Sequence, residues 1–304
     1  MAQPQKGICA EPNLHSLYLM FNVVDDDYAA LRERLAMLLD LFYYNEQEYF
    51  EAMLSGMIAI GSNFWSEIYP HNTPAELAPF PDTGKREPRM PVIPFDLFIQ
   101  IRADRADVCH QLGVEVCRLL SPYTELVEQI KGFRFLDGRD LTGFVMGYDN
   151  PRGMAKLDVA LVGEEDPEFA GGSYIHVQRY QHNLAQWERL SVAEQEYIMG
   201  RSKDTNSELD DHARSPACHA TRISVDKFGE PIKLLQQGMP YGDMHEQGMY
   251  LVTCARTVKP FRHMLENLVA LDREGQYDRL LDFTTVQTGC AFFAPSISFI
   301  KKYV

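Results

Sequence analysis

Apolar and polar positions along this chain fall into two alternating rhythms. Leu14 to Val24 has a strand-like pattern, whereas Tyr28 to Tyr44 repeats apolar residues at helical spacing. Met53 to Ile60 and Phe95 to Ile101 are short apolar runs of strand length. Ala106 to Leu120 turns helical again, with Leu112, Val116 and Leu119 on one face. The segment from Pro70 to Pro94 is rich in proline and polar residues and predicts a long surface loop. With a strand near Glu125 to Phe135, the order becomes β-α-β-β-α-β, the ferredoxin-like pattern.

The second half repeats that order loosely. Strands are predicted at Gly172 to Tyr180, Arg222 to Val225, Ile232 to Gln236, Gly248 to Ala255 and Gly289 to Ala294. Helices are predicted from Leu184 to Met199 and from Pro260 to Ala270. The expected class is α+β: two ferredoxin-like domains of the dimeric α/β-barrel type, residues 1–139 and 140–304. Antiparallel sheets would pack inside and helices outside.

Composition narrows the possibilities without choosing among them. A chain of 304 residues, 45% apolar and 24% charged, can build cores of normal size without disulfides. A net charge of −14 argues against a nucleic-acid or anionic-membrane partner, because phosphates would be repelled. The six cysteines are scattered, with no Cys-x-x-Cys and no zinc-ligand spacing, as expected of thiols in a reducing compartment. The N-terminal stretch lacks the features of a signal peptide, and LAMLLDLFYY is too short and too interrupted to span a bilayer. A soluble cytoplasmic protein is the expectation.

Two stretches carry the chemistry: Gly132 to Pro151, GFRFLDGRDLTGFVMGYDNP, and Cys218 to Gly242, CHATRISVDKFGEPIKLLQQGMPYG. With GSNFW, GGSYIHVQR and DRLLDFTTVQTGCAFFAPS, they make a chain that resembles the dye-decolorizing (DyP-type) haem peroxidases, the B-type branch in particular. The resemblance runs nearly end to end. It implies haem b in the C-terminal domain, homo-oligomers built on dimers, and a peroxidase-like oxidoreductase. Hydrogen peroxide would be the oxidant and a small organic molecule the electron donor.

The resemblance also assigns residues. His219 in CHATR matches the family's proximal histidine, the metal ligand, and Asp278 in YDRLLDFTT matches the carboxylate that bonds its second nitrogen. The alternative for His219 is a structural histidine. Arg201 in IMGRSK matches an arginine that binds a haem propionate; a surface salt bridge is its alternative. Gly147 belongs with these cofactor-binding residues, while Arg179 and His182 are weaker candidates. Cys218 is read as a small buried thiol, because adjacent strand residues face opposite sides. Trp65 and Trp187 are given core positions only.

Two positions depart from the family pattern. Where the family carries an aspartate and an arginine over the haem, this chain has Met146 and Gln236. A thioether cannot shuttle a proton, and a neutral amide stabilises developing charge only through its dipole. Peroxide cleavage is therefore expected to be impaired, with Asp149 and Tyr148 the nearest substitutes. Met146 is either an apolar distal wall or an axial ligand, and Gly238 leaves the pocket more open. Two alternatives to a peroxidase stay open: a haem enzyme of another class, such as a dehydratase or one acting on N–O or N–N bonds, and a non-catalytic haem carrier, sensor or electron-transfer protein.

Overall fold

A computed structural model describes residues 2–83, 90–210, 212–226, 228–272 and 274–304. In the first half, strands β1 (His15–Val23), β2 (Ser55–Gly61), β3 (Leu97–Ala103) and β4 (Thr124–Phe133) alternate with helices α1 (Tyr28–Glu48), α2 (Trp65–Ile68) and α3 (Ala106–Leu120). Asp27 starts α1 by accepting a hydrogen bond from the Ala30 amide at 3.0 Å. Strand alternation then divides the side chains. Leu17, Leu19 and Phe21 pack outward against α1 and α3, while Tyr18 and Met20 point to the opposite face. A Cβ on Gly113 would lie 2.4 Å from a Leu17 methyl, so glycine lets α3 settle onto β1.

The second half contains helices α4 (Ala155–Ala160), α5 (Leu184–Trp187), α6 (Val192–Met199), α7 (His219–Ser224), α8 (Lys259–Val269) and α9 (Ile297–Lys302). Its strands are β5 (Ser173–His182), β6 (Leu235–Gln236), β7 (Met239–Gly242), β8 (Gln247–Ala255) and β9 (Thr284–Ala294). Two antiparallel groups of four, β4-β1-β3-β2 and β9-β5-β8-β7, join edge to edge, with β6 added on β8. The seams are short. Gly132 pairs with Tyr241 at one, and Ile60 and Gly61 pair with Phe293 and Phe292 at the other. The result is a mixed α/β fold around a barrel-like antiparallel ring of eight strands.

Side chains from both groups fill the ring. Tyr18, Phe98, Val177, Tyr250 and Phe292 belong to one buried cluster, and the Tyr18 and Tyr250 rings stack at 4.4 Å. The first half's outer core is completed from the far end of the chain, since Phe299 and Ile300 of α9 pack with Trp65 and Leu38.

Three sequence expectations need correction. Arg222 to Val225 was expected as a strand, but α7 occupies this position, braced from outside: the Arg222 guanidinium donates to the carbonyls of Asn267, Ala270 and Gln276. The expected single helix from Leu184 to Met199 is two, because Ser191 and Glu194 form a capping box that starts α6 afresh. Only Leu235 and Gln236 of the run from Ile232 form a strand. Within the expected loop from Pro70 to Pro94, the described residues form no helix or strand, and residues 84–89 lie outside the described part. Among the described residues no helix is long and apolar enough to cross a membrane.

Candidate functional site

Alternate residues of β8 face away from the ring, and Met249 and Leu251 on that side meet α8. The helix begins with a proline in its first turn and buries Phe261, Met264, Leu265 and Leu268 at helical spacing. A cavity of about 620 Å³ opens here, inside the range common for small-molecule and cofactor sites. Its apolar wall includes Met249, Leu251, Met264, Leu268, Leu280 and Leu281, and it extends along the loop of residues 134–153.

His219 lines this cavity as the first residue of α7. Its Nδ1 lies 2.7 Å from Asp278 Oδ2, and Asp278 is fully buried. The second oxygen of Asp278 accepts from the Leu280 amide at 2.9 Å, and its own amide donates to the Leu268 carbonyl, so the carboxylate is fixed to the end of α8. Burial by itself lowers the His219 pKa, but the Asp278 charge and hydrogen bond, with the Asp140 charge, outweigh it and raise it. Nε2 has no hydrogen-bond partner among the described residues. An imidazole tied at one nitrogen and open at the other has the form of a metal ligand. No cluster of three or more His, Cys, Asp or Glu among the described residues forms an alternative metal site.

Met146, Gly147, Asp149 and Gln236 also line the cavity. Gly147 has φ +56°, and a Cβ there would lie 2.7 Å from Asn150 Nδ2. Asn150 clamps the loop to β6 in both directions: its amide donates to the Gln236 carbonyl at 2.7 Å, and its oxygen accepts from the Gln236 N–H at 2.8 Å. Met146 and Gln236, 90 positions apart in sequence, are thereby held on one wall. Partial burial raises the Asp149 pKa; Arg201 opposes this and Glu208 adds to it.

Arg201 does not itself line the cavity. Its Nε and Nη2 donate to Asn206, and its guanidinium lies 3.9 Å from the centre of the Tyr148 ring, which does. Cys218 is buried behind α7 as its cap residue, against Thr221. The strand-based reason for setting it apart from His219 is therefore replaced by a helical one.

Sequence reasoning left several cavity residues without a role. Asp140 is buried and accepts from the Thr142 amide and hydroxyl, while its other oxygen meets His182 Nε2 at 3.1 Å. His182 Nδ1 in turn meets the Thr284 hydroxyl at 2.9 Å. The closely spaced Asp140 and Thr142 were a local signal for the turn, but the His182 contact spans 42 positions and had none. Arg102, Arg134, Arg139 and Arg152 also line the cavity, and none pairs with a carboxylate among the described residues. Arg179, by contrast, lies outside it, paired with Glu128 and Glu246. Trp65 and Trp187 are both buried in apolar clusters.

Comparison with known proteins adds a second line of information. Residues 5–134 match the family model for Dyp-type peroxidase, N-terminal, and residues 137–299 match Dyp-type peroxidase, C-terminal. The chain is 40% identical over 251 residues to a dye-decolorizing peroxidase of Mycobacterium tuberculosis, covering 81% of this chain and 75% of that one. A DypB variant from Rhodococcus jostii in complex with heme superposes with a TM-score of 0.90 at 35% identity, covering 98% of this chain and 97% of that one. The encapsulated DyP-type peroxidase from Mycobacterium smegmatis gives a TM-score of 0.92 at 35% identity, covering 99% and 98%.

Proposed function

Because the chain belongs to the dye-decolorizing (DyP-type) peroxidase family, and is by that membership a haem-peroxidase-like oxidoreductase, we propose that its cavity holds haem b on His219. The observation that carries this reading is the His219–Asp278 pair, with Nε2 open beside an apolar wall. The remaining residues suit the group as well. Leu268, Leu280 and Met264 match a flat apolar ring, and Arg139 and Arg152, cavity arginines without carboxylate partners, match its propionates. Arg201 would reach a propionate beside Tyr148, and Gly147 leaves room for the group to approach the loop. Bound haem supplies the redox iron at which peroxide is reduced and an organic donor oxidised.

The chain's own residues then set the rate. Asp278 orients His219 and strengthens it as a donor. Gln236 makes no side-chain hydrogen bond among the described residues, so its amide is available as a neutral dipole. Met146 excludes water and carries no proton. Asp149 is the carboxyl on this wall that binds its proton more tightly than usual, which suits a slow substitute for the family's aspartate. Peroxide cleavage is accordingly weak.

The strand orders β4-β1-β3-β2 and β9-β5-β8-β7 support reading residues 1–139 and 140–304 as two ferredoxin-like halves. The protein on this reading is cytoplasmic, acts on a small molecule, and forms homo-oligomers built on dimers.

The test begins with haem reconstitution. Wild type should show a Soret band with one haem per chain, and His219→Ala should lose it; equal haem content in both would remove the ligand assignment. Stopped-flow mixing with hydrogen peroxide should then show slow Soret loss in wild type. Met146→Asp with Gln236→Arg should speed it by about 10²–10³. A fast wild type would transfer the proton-carrying role to Asp149 and overturn the impairment. A second reading follows from the aprotic Met146–Gln236 wall, which favours a haem enzyme of another class or a haem carrier, sensor or electron-transfer protein; slow reaction in both proteins would favour it.

A further inference from the structure

We propose that the cavity has a second compartment at the mouth of the strand ring, where Arg102 binds a small carboxylate, so that the organic donor is an organic acid. The donor assignment rests on the peroxidase reading above; the carboxylate subsite does not. On β3, Leu97, Ile99 and Ile101 pack on the helix side, while Phe98 faces the ring interior. Alternation places Gln100 and Arg102 on the interior side with Phe98. Arg102 is only 4% exposed, yet it lines the cavity.

A buried guanidinium remains charged and is costly unless an anion or a full set of acceptors surrounds it. Arg102 has neither among the described residues. Nη1 donates to the Gln237 carbonyl at 2.8 Å, and Nε is buried with no partner. One of its cross-strand neighbours repeats the pattern. Ser16 on β1 and Ser55 on β2 both pair in register with Arg102, and the Ser55 hydroxyl is buried without a partner, although neither serine lines the cavity.

Buried polar atoms without partners are rare in native proteins, and an unpartnered guanidinium N–H on a buried residue that lines a cavity points to a polar occupant. An unused N–H donor calls for an acceptor, and a carboxylate offers two oxygens that a guanidinium receives as a pair.

The test uses the full haem-loaded chain and titrates benzoate and its neutral counterpart benzamide by calorimetry. Benzoate should bind one per chain with an unshifted Soret band, and benzamide about tenfold more weakly or less. Arg102→Met should weaken benzoate by about tenfold or more, the loss expected for a charge-assisted hydrogen bond. Equal benzoate binding in wild type and Arg102→Met would overturn the subsite, as would equal binding of benzamide, no benzoate heat in wild type, or a Soret shift that persists in the variant. Thermal melting checks folding. If Arg102→Met fails to fold, Arg102→Lys takes its place with an intermediate affinity expected, and the benzoate–benzamide comparison needs no variant. Should the chain take up no haem, the peroxidase reading fails, and the same calorimetry on the protein as purified still decides the subsite.

Discussion

Asp140 shows how one side chain ties acid stability to the site. Burial pushes its pKa up, but the His182 charge and hydrogen bond, with two hydrogen bonds from Thr142, overcome this and bring it down to about 2. A carboxyl whose folded pKa lies below its unfolded value near 3.8 stabilises the fold above that value. The contribution fades as pH falls toward 2. Asp140→Asn should cost on the order of 2 kcal/mol at pH 6, with the gap to wild type narrowing as pH drops below 4. Urea midpoints across that range measure it, and a constant gap would place the stabilisation in packing instead of charge. Residue-scale legibility was uneven for a physical reason. His219 and Asp278 stood in family motifs, whereas Asp140 and His182, 42 positions apart, are brought together only by the tertiary fold. Arg102 lies just past the strand expected at Phe95 to Ile101 and was not singled out, because its isolation depends on three strands in register.

Among the elements, the distal loop and β6 behave as one piece because a single amide joins them. Asn150→Ala removes both hydrogen bonds to the Gln236 backbone and leaves its buried groups short of partners. A loss of about 1–3 kcal/mol is expected, read as a fall in melting temperature. The same change should loosen haem retention without altering the Soret position, since His219 is untouched; unchanged stability would mean that β8 alone holds β6. Long alternating segments such as β1, β3 and β8 were legible in sequence because one face of each is buried. The α7 helix was not. Its Thr221 and Ile223, with Val225 just past its end, carry strand propensity, and what overrides it comes from α8 and the following loop, through Arg222 and Asn267. The break before α6 was written locally in Ser191 and Glu194, but helical periodicity on both sides masked it.

At the scale of the molecule, the ring makes two halves that meet at narrow seams yet share one interior. Gln5, near the start of the chain, is buried between them: its side chain bonds the Ile58 backbone on β2 and the Pro295 carbonyl just after β9. Chain order told little about this closure, because β-α-β-β-α-β patterns are satisfied equally by separate sheets and by sheets joined edge to edge. Docking of α9 on the first half has a consequence during synthesis. Trp65 and Tyr69 pack against Phe299, a residue made near the end of translation. About 180 residues separate Leu120 from Ile300, which at roughly 5–20 residues per second is a delay on the order of 10–40 s. Throughout it the emerging first half carries an uncovered apolar face, and a ribosome-bound chain halted before α9 emerges would remain open to chaperones and proteases that the finished molecule excludes.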